Sequence, residues 1–365
     1  MTHLAAPSLQ IQSLQGDYAV RFEDSIESVV RHALTAQPSA VLLVDRQVAR
    51  IYAKPLAPML EGMPTCLLDA TEDEKTLAGI TKVVRWLQEQ QCTRQTVVIA
   101  LGGGIIQDVA TFSSHVYYRG IRWNFIPTTL LSMGDSCIGA KCGINLHELK
   151  NQLGVFHSPS EVVICTKFIE SLGELAFWSG CGEIFRLMLT GPRQYFEEFQ
   201  SDVRAVGLRH IDLAKYIYRS LEVKKEIIEL DEHERDLRRI LNYGHTFGHA
   251  LEAVTDYEVP HGLAVVWGLD LANYIARRRG LLDPDLCAGI HAFIKEHFAF
   301  RLSRTLDAQE LIRGAKRDKK VTDGQINLVL LEQPGRLQIV KTPFDQELFN
   351  MVNDFIAGPD AFRCH

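Results

Sequence analysis

Apolar residues in the first half of this chain come in short, almost unbroken runs; in the second half they recur at helical spacing. Ser39-Ala40-Val41-Leu42-Leu43-Val44-Asp45 is one such run, ended by an acid. A strand apolar on both faces suits a parallel sheet covered on both sides. Glu72 to Gln90 is charged, with Leu77, Ile80, Val83, Val84 and Leu87 forming an apolar stripe, and predicts a helix. Gln95 to Ala110 reads as a strand, three glycines (Gly102 to Gly104) and the start of a helix. Arg122-Trp123-Asn124-Phe125-Ile126-Pro127 predicts another strand closed by proline, after which Thr128-Thr129 opens a helix or a polar loop. From about Glu174 the alternation stops. Tyr195 to Val203, Leu213 to Leu230, Leu241 to Val254, Ala264 to Arg279 and Leu286 to His297 all carry the helical period, and Ile326 to Leu331 and Arg336 to Val340 flank Gln333-Pro334-Gly335 as a hairpin. The pattern predicts an α/β domain over residues 1–172 and a mostly α-helical domain over 173–365.

Composition changes this picture little. The 365 residues are enough for one large or two ordinary domains, and 46% hydrophobic with 23% charged is the balance of a soluble globular protein. A net charge of -6 argues against nucleic acid as the main partner, although local basic clusters still suit a small anion. No apolar run approaches the ~20 residues that span a bilayer, and Met1 to Asp17 lacks the basic and apolar segments of a secretory signal. The eight cysteines are scattered, with no C-x-x-C pair, which predicts reduced thiols and a cytoplasmic protein.

The candidate chemistry centres on Gly244 to His249, read with Glu252 and His261. His245 and His249 stand one turn apart if the stretch is helical, and the break at Pro260-His261-Gly262 returns a third imidazole toward them. Paired histidines also fill helix interfaces, so the pair by itself indicates either packing or a metal such as a three-ligand catalytic zinc. Glu183, in the apolar and Gly-flanked Gly182-Glu183-Ile184, is costly to bury alone and is a candidate fourth member. Asp45 at a strand end suits ribose hydroxyls or simply ends the strand. Gly102 to Gly104 suits a pyrophosphate at a helix N-terminus, or a tight turn. Asp135, Lys141, Asn145, Lys150 and Asn151, interleaved with glycines, suit an anion such as phosphate or a solvated loop.

The order of these segments resembles the sugar phosphate cyclases, and most of all the 3-dehydroquinate synthase family. The resemblance runs from about Ala40 to Val340 and rests on Gly102-Gly103-Gly104-Ile105-Ile106-Gln107-Asp108, Arg119-Gly120, Pro127-Thr128-Thr129, Asp135 to Lys141, Lys150-Asn151, Gly182-Glu183, Asn242 to His249 and His261-Gly262. It implies a Rossmann-like NAD-binding domain, a helical metal- and substrate-binding domain, zinc or cobalt, and a homodimer. It implies Glu183, His245 and His261 as metal ligands, which moves His249 from the metal to the substrate phosphate. Lys141, Lys150, Asn151, Lys319 and, from a neighbouring subunit, Arg119 would join His249 there. Asp135, Lys224, Arg238 and Asn242 would hold substrate hydroxyls and carboxylate. Asp45, Glu72, Lys75, Gly103, Gly104, Asp108, Thr128 and Thr129 fall on the family's NAD positions. The implied reaction on a small phosphorylated sugar acid is transient oxidation, phosphate elimination, re-reduction and intramolecular aldol closure.

Two departures bear on the substrate. Arg186 stands where the family has a lysine that contacts substrate hydroxyls, so it is counted with the catalytic residues, and Leu263 stands where a glutamate follows His-Gly. Gln107 and Cys142 are smaller changes. Retained Lys224 and Arg238 favour a carboxylated heptulosonate 7-phosphate over sedoheptulose 7-phosphate or glucose 6-phosphate, the substrates of cyclitol synthases. A polyol dehydrogenase of the same architecture is a further reading, and a non-catalytic relative is disfavoured by intact Glu183, His245 and His261.

Overall fold

The short apolar runs pair side by side. This is a computed structural model that describes residues 8–36, 39–147, 149–316, 321–322 and 324–358, and it divides into two compact units, Met1–Gly173 and Glu174–His365. The first contains β1 (Ser8–Ile11), β2 (Tyr18–Phe22), α1 (Ile26–Ala36), β3 (Ala40–Asp45), α2 (Arg46–Ile51), α3 (Ala53–Gly62), β4 (Thr65–Leu68), α4 (Leu77–Glu89), β5 (Val97–Gly102), α5 (Gly104–Val116), β6 (Arg122–Pro127), β7 (Lys141–Leu146), β8 (Leu149–Phe156) and β9 (Glu161–Ile164). Seven strands form one sheet in the order β1-β2-β9-β6-β5-β3-β4. Only β1 and β2 pair antiparallel in it. Every residue of β5 is buried, as its unbroken apolar sequence requires. The carboxyl ends of β3, β5 and β6 therefore lie next to one another, where open α/β sheets bind ligands.

Two local expectations change. The helix expected from Glu72 begins at Leu77, because the Thr76 hydroxyl caps it by accepting from Gly79 N at 3.3 Å. Glu72 to Glu74 form a short 3-10 turn instead. The glycine-punctuated stretch expected as a polar loop is a β7–β8 antiparallel hairpin, carrying Lys141 at one end and Lys150 and Asn151 on the return strand.

The second unit contains α6 (Glu174–Thr190), α7 (Arg193–Val206), α8 (Leu213–Leu230), α9 (His245–Val254), α10 (His261–Arg278), α11 (Pro284–His297), α12 (Ala308–Lys316), β10 (Val321–Thr322), β11 (Gln325–Gln333), β12 (Arg336–Pro343) and α13 (Gln346–Ala357). From Ser179 to Thr190 α6 is buried on all sides. Phe185 on this helix packs against Phe196, Phe199, Phe293 and Phe298, so α6 is the axis of the helical core. The helix expected over Leu241 to Val254 is interrupted. A 3-10 turn covers Leu237–Asn242, Gly244 takes φ +80°, and α9 starts at His245. The expected hairpin forms as β11 and β12, with β10 added at its edge.

Candidate active site

Glu183 and His261 stand on two helices whose backbones nearly touch. A Cβ on Gly182 would lie 2.4 Å from Gly262 O, and one on Gly262 would lie 1.8 Å from Ser179 O, so only glycine permits the approach. Gly262 N also donates to Ser179 Oγ at 2.9 Å. Across this contact Glu183 Oε1 lies 3.3 Å from His261 Nε2 and 3.9 Å from His245 Nε2. His249 follows one turn after His245, ring centroids 5.4 Å apart, and one ligand atom from each of His245, His249 and His261 falls within 4.8 Å of the others.

Donor chemistry separates these four side chains. His261 Nδ1–H donates to Glu252 Oε1 at 3.2 Å, which turns Nε2 toward Glu183. His245 Nδ1 lies 3.3 Å from Tyr243 O, and its Nε2 is turned toward Glu183 Oε1. Glu183 Oε1 is buried and accepts no hydrogen bond. A carboxylate oxygen and two imidazole nitrogens aimed at one point need a positive charge among them, a proton or a metal ion. The donor set fits a divalent metal held by Glu183, His245 and His261 with one position open. His249 is exposed and stacks on His261 at 5.7 Å, at the rim of the group.

The same geometry acts on protons. Burial pushes the Glu183 carboxyl up, but Arg186 and His261 outweigh it and hold it at about 2. Burial pulls the His261 imidazole down, and Glu183 with Glu252 outweigh that and raise it to about 10. A metal at this point displaces a proton.

Arg186, expected at the substrate, is 1% exposed and committed elsewhere. Its Nε–H donates to Glu183 Oε2 at 2.7 Å and its Nη1 to Leu241 O at 2.9 Å. Lys224 on α8 and Arg238 in the 237–242 turn are buried cations, 7% and 4% exposed, on elements that pack together. An acidic loop holds that turn in place. Asp231 accepts N–H bonds from Arg235, Asp236 and Arg238 at 2.8, 2.8 and 3.0 Å, Glu232 O accepts from the Arg238 guanidinium, and Glu234 Oε1 accepts from Asn242 Nδ2 at 2.6 Å. Sequence reasoning missed this clamp, because nothing in the spacing of Asp231, Glu232 and Glu234 marks which groups they accept from. It also left Glu252 without a role, although its place three residues after His249 puts it on the histidine face of α9. Leu263 is not a gap in the support of His261, since Glu252 provides it; Leu263 instead lines a cavity of about 510 Å³ with Trp178, Val259 and Phe298.

In the first unit Asp45 ends β3 and caps α2, accepting from Gln47 N at 2.8 Å. Gly103 precedes α5, and a Cβ there would lie 2.8 Å from Thr129 Cγ2; Thr128 N donates to Gly102 O at 2.9 Å. These residues and Gly104, where an added Cβ meets nothing within 4 Å, gather at the carboxyl ends of β3, β5 and β6. Lys75 and Asp108 form an ion pair at 2.7 Å, and Asp108 Oδ1 also accepts from Gly143 N at 3.2 Å. Burial pushes the Asp108 carboxyl up, with the Lys75 ammonium pulling against it. Glu72 accepts from Asn145 Nδ2 at 2.7 Å and lies 3.7 Å from Lys150 Nζ. Asn151, φ +54°, donates its N–H to Asn145 Oδ1 at 3.0 Å. Lys141 is exposed at the start of β7, Asp135 lies half-buried in the Ser132–Ser136 turn, and Arg119 lies in the Tyr117–Arg119 turn with φ +65°. Lys319 lies outside the described residues.

A parallel α/β unit and a helical unit holding a Glu-His-His centre beside buried cations define an enzyme of the sugar phosphate cyclase class. The family model for the 3-dehydroquinate synthase N-terminal region matches residues 65–179, and that for the C-terminal region matches residues 180–321. A 3-dehydroquinate synthase of Dictyoglomus turgidum is 33% identical over 318 residues, 87% of this chain and 89% of the relative. The chain belongs to the 3-dehydroquinate synthase family. Among solved structures, the 2-epi-5-epi-valiolone synthase of Streptomyces hygroscopicus subsp. jinggangensis, with NAD+ and Zn2+ bound, aligns with a TM-score of 0.83 at 25% identity, over 96% of this chain and 99% of that one. The same fold recurs in 2-deoxy-scyllo-inosose synthase complexed with carbaglucose-6-phosphate, NAD+ and Co2+, with a TM-score of 0.83 at 21% identity over 96% and 99% of the two chains.

Proposed function

We propose that this enzyme converts a carboxylated heptulosonate 7-phosphate to a carbocycle with loss of phosphate, using NAD and zinc or cobalt, as in 3-dehydroquinate synthase. The observation that carries the reading is Glu183 Oε1, buried without a donor and aimed at His245 and His261, in the unit that also buries Lys224 and Arg238. When bound, the metal and NAD together supply a reversible oxidation of a secondary alcohol, which acidifies the neighbouring C–H and leaves no net redox change. Glu183, His245 and His261 hold the metal. Lys224 and Arg238 are the cations for the substrate carboxylate, with Asn242 and Asp135 for its hydroxyls. His249, Lys141, Lys150, Asn151 and Lys319 stabilise the departing phosphate. NAD lies at the carboxyl ends of β3, β5 and β6, with its phosphates at the N-terminus of α5 and its hydroxyls at Asp45. The working assembly is a homodimer to which Arg119 contributes across subunits. The protein is cytoplasmic, a reading supported by the seven described cysteines, which are free and buried.

The test is phosphate release with NAD and Zn2+ or Co2+ from 3-deoxy-arabino-heptulosonate 7-phosphate, sedoheptulose 7-phosphate and glucose 6-phosphate in parallel. Release from the heptulosonate alone, without net NADH, is the expected result. Release from either other sugar instead makes the enzyme a cyclitol synthase, and net NADH formation without phosphate makes it a polyol dehydrogenase.

A further inference from the structure

Arg186 is the largest charged side chain among the fully buried ones, and it points at a carboxylate whose other oxygen faces the histidines. Burying an ion pair is costly unless its geometry is good and the remaining donors are used. Here the geometry is good and two of the guanidinium nitrogens have acceptors. Glu183 and Arg186 are each 1% exposed and three residues apart on α6, with Nε on Oε2 at 2.7 Å. The guanidinium then reaches out of its own helix to Leu241 O at 2.9 Å. Leu241 lies in the turn that carries Arg238 and Asn242. One planar fork thus holds both the carboxylate and the substrate-facing turn, at two points a single ammonium cannot span.

We infer that Arg186 is a positioning residue: it fixes Glu183 with Oε2 turned away and Oε1 presented to the metal, and it ties that carboxylate to the turn of Arg238 and Asn242. The inference rests on the reading of Glu183, His245 and His261 as metal ligands. A carboxylate left to rotate presents either oxygen, or both, and loses order on binding; one pinned by a charge-assisted hydrogen bond does not. With Nε on Glu183 and Nη1 on Leu241, the guanidinium acts on the carboxylate and the turn whether or not substrate is bound. This separates its effects from those of Lys224 and Arg238: substitution of Arg186 alters the metal before any substrate is present.

The full-length protein, titrated with Co2+ alone, reads this directly through the affinity and the visible d–d spectrum of the bound ion. Arg186→Met is expected to weaken Co2+ binding roughly 10–100-fold, the usual effect of removing a group that orients a ligand, and to shift the spectrum. Arg186→Lys, which keeps the charge but not the fork, should recover part of the affinity and leave the spectrum altered, a partial rescue that simple loss of packing does not produce. If Arg186→Met does not fold, Arg186→Lys and Arg186→Gln carry the test by the same readouts. Wild-type affinity and spectrum in the folded variants would overturn the inference. His245→Ala runs alongside. If it loses Co2+ while the Arg186 variants do not, the metal centre stands and only the role of Arg186 fails. If it binds Co2+ like wild type, the metal centre falls and the inference with it.

Discussion

Glu252 on α9 accepts the Nδ1–H of His261 on α10, at 3.2 Å to one carboxylate oxygen and 3.3 Å to the other. The bond links the two helices, and it sets which ring nitrogen of His261 turns toward Glu183. Glu252→Gln keeps the size but, as a neutral acceptor, no longer strengthens the imidazole as a donor. The expected result is a fall in Co2+ affinity of roughly 10–100-fold with little change in thermal stability, measured by Co2+ titration and by a melting curve.

His245 and His249 are adjacent turns of one helix yet are assigned different duties. His245→Ala should abolish Co2+ binding and turnover. His249→Ala should leave Co2+ affinity close to wild type and raise KM for the phosphorylated substrate. Equal loss of Co2+ in both variants would favour the all-histidine ligand set that the spacing alone suggests.

Asp231 gives a pH-dependent prediction. Burial pushes its carboxyl up, but the backbone N–H groups of Asp236, Arg235 and Arg238 outweigh it and hold it below its ordinary value. A carboxylate depressed on folding stabilises the protein above its unfolded pKa, about 3.9, and loses that contribution as pH falls through the folded value. Asp231→Ala should therefore have a lower Tm than wild type at neutral pH. The gap should narrow as pH drops below about 4. A constant gap across that window would mean that the carboxylate charge is not what holds the Arg238 turn.

Gly262→Ala tests the helix contact beneath the site. Its new methyl would lie 1.8 Å from Ser179 O, so α6 and α10 must separate. The expected cost is about 3 kcal/mol, at the upper end for overpacking, read from denaturant unfolding. Because Glu183 and His261, two of the three proposed ligands, sit on these helices, metal affinity should fall along with stability.

Lys75 and Asp108 form a nearly buried pair, and removing one partner leaves the other uncompensated. Lys75→Met should destabilise the protein by roughly 3 kcal/mol and weaken NAD binding. Adding Asp108→Asn should restore part of the stability without restoring the nucleotide, a double-mutant cycle read by melting and by NAD titration.

The sheet and the helices were legible where one period ran without competition. β5 and β6 begin and end close to where their apolar runs do, and α8 spans the residues its period predicts. Boundaries moved where a single side chain or glycine intervened, as at Thr76 and at Gly244. That Glu183, His245 and His261 come together was expected from the family resemblance, whereas the spacing alone pointed to His245, His249 and His261, and the groups that orient these side chains were not legible. Arg186 lies three residues from Glu183 in the sequence, but its second bond goes to a carbonyl 55 positions away. Glu252 gains its role only when Pro260 turns the chain back. The β7–β8 hairpin was hidden because the alternation in β7, with Cys142 and Ile144 buried, is too short to stand out among glycines and lysines, and β8 buries none of its residues.

That hairpin is also wired to its surroundings. Gly143 N bonds to Asp108, Asn145 N to Lys75 O at 2.7 Å, and the Asn145 side chain to Glu72. Together these bonds, each worth about 1 kcal/mol net, oppose its swinging as an independent flap. Any opening that carries Lys141 and Asn151 away must drag α5 and the Glu72 turn with it or break all three at once. The strands that bear the anion-seeking side chains therefore move, if they move, as one rigid body with the start of α5.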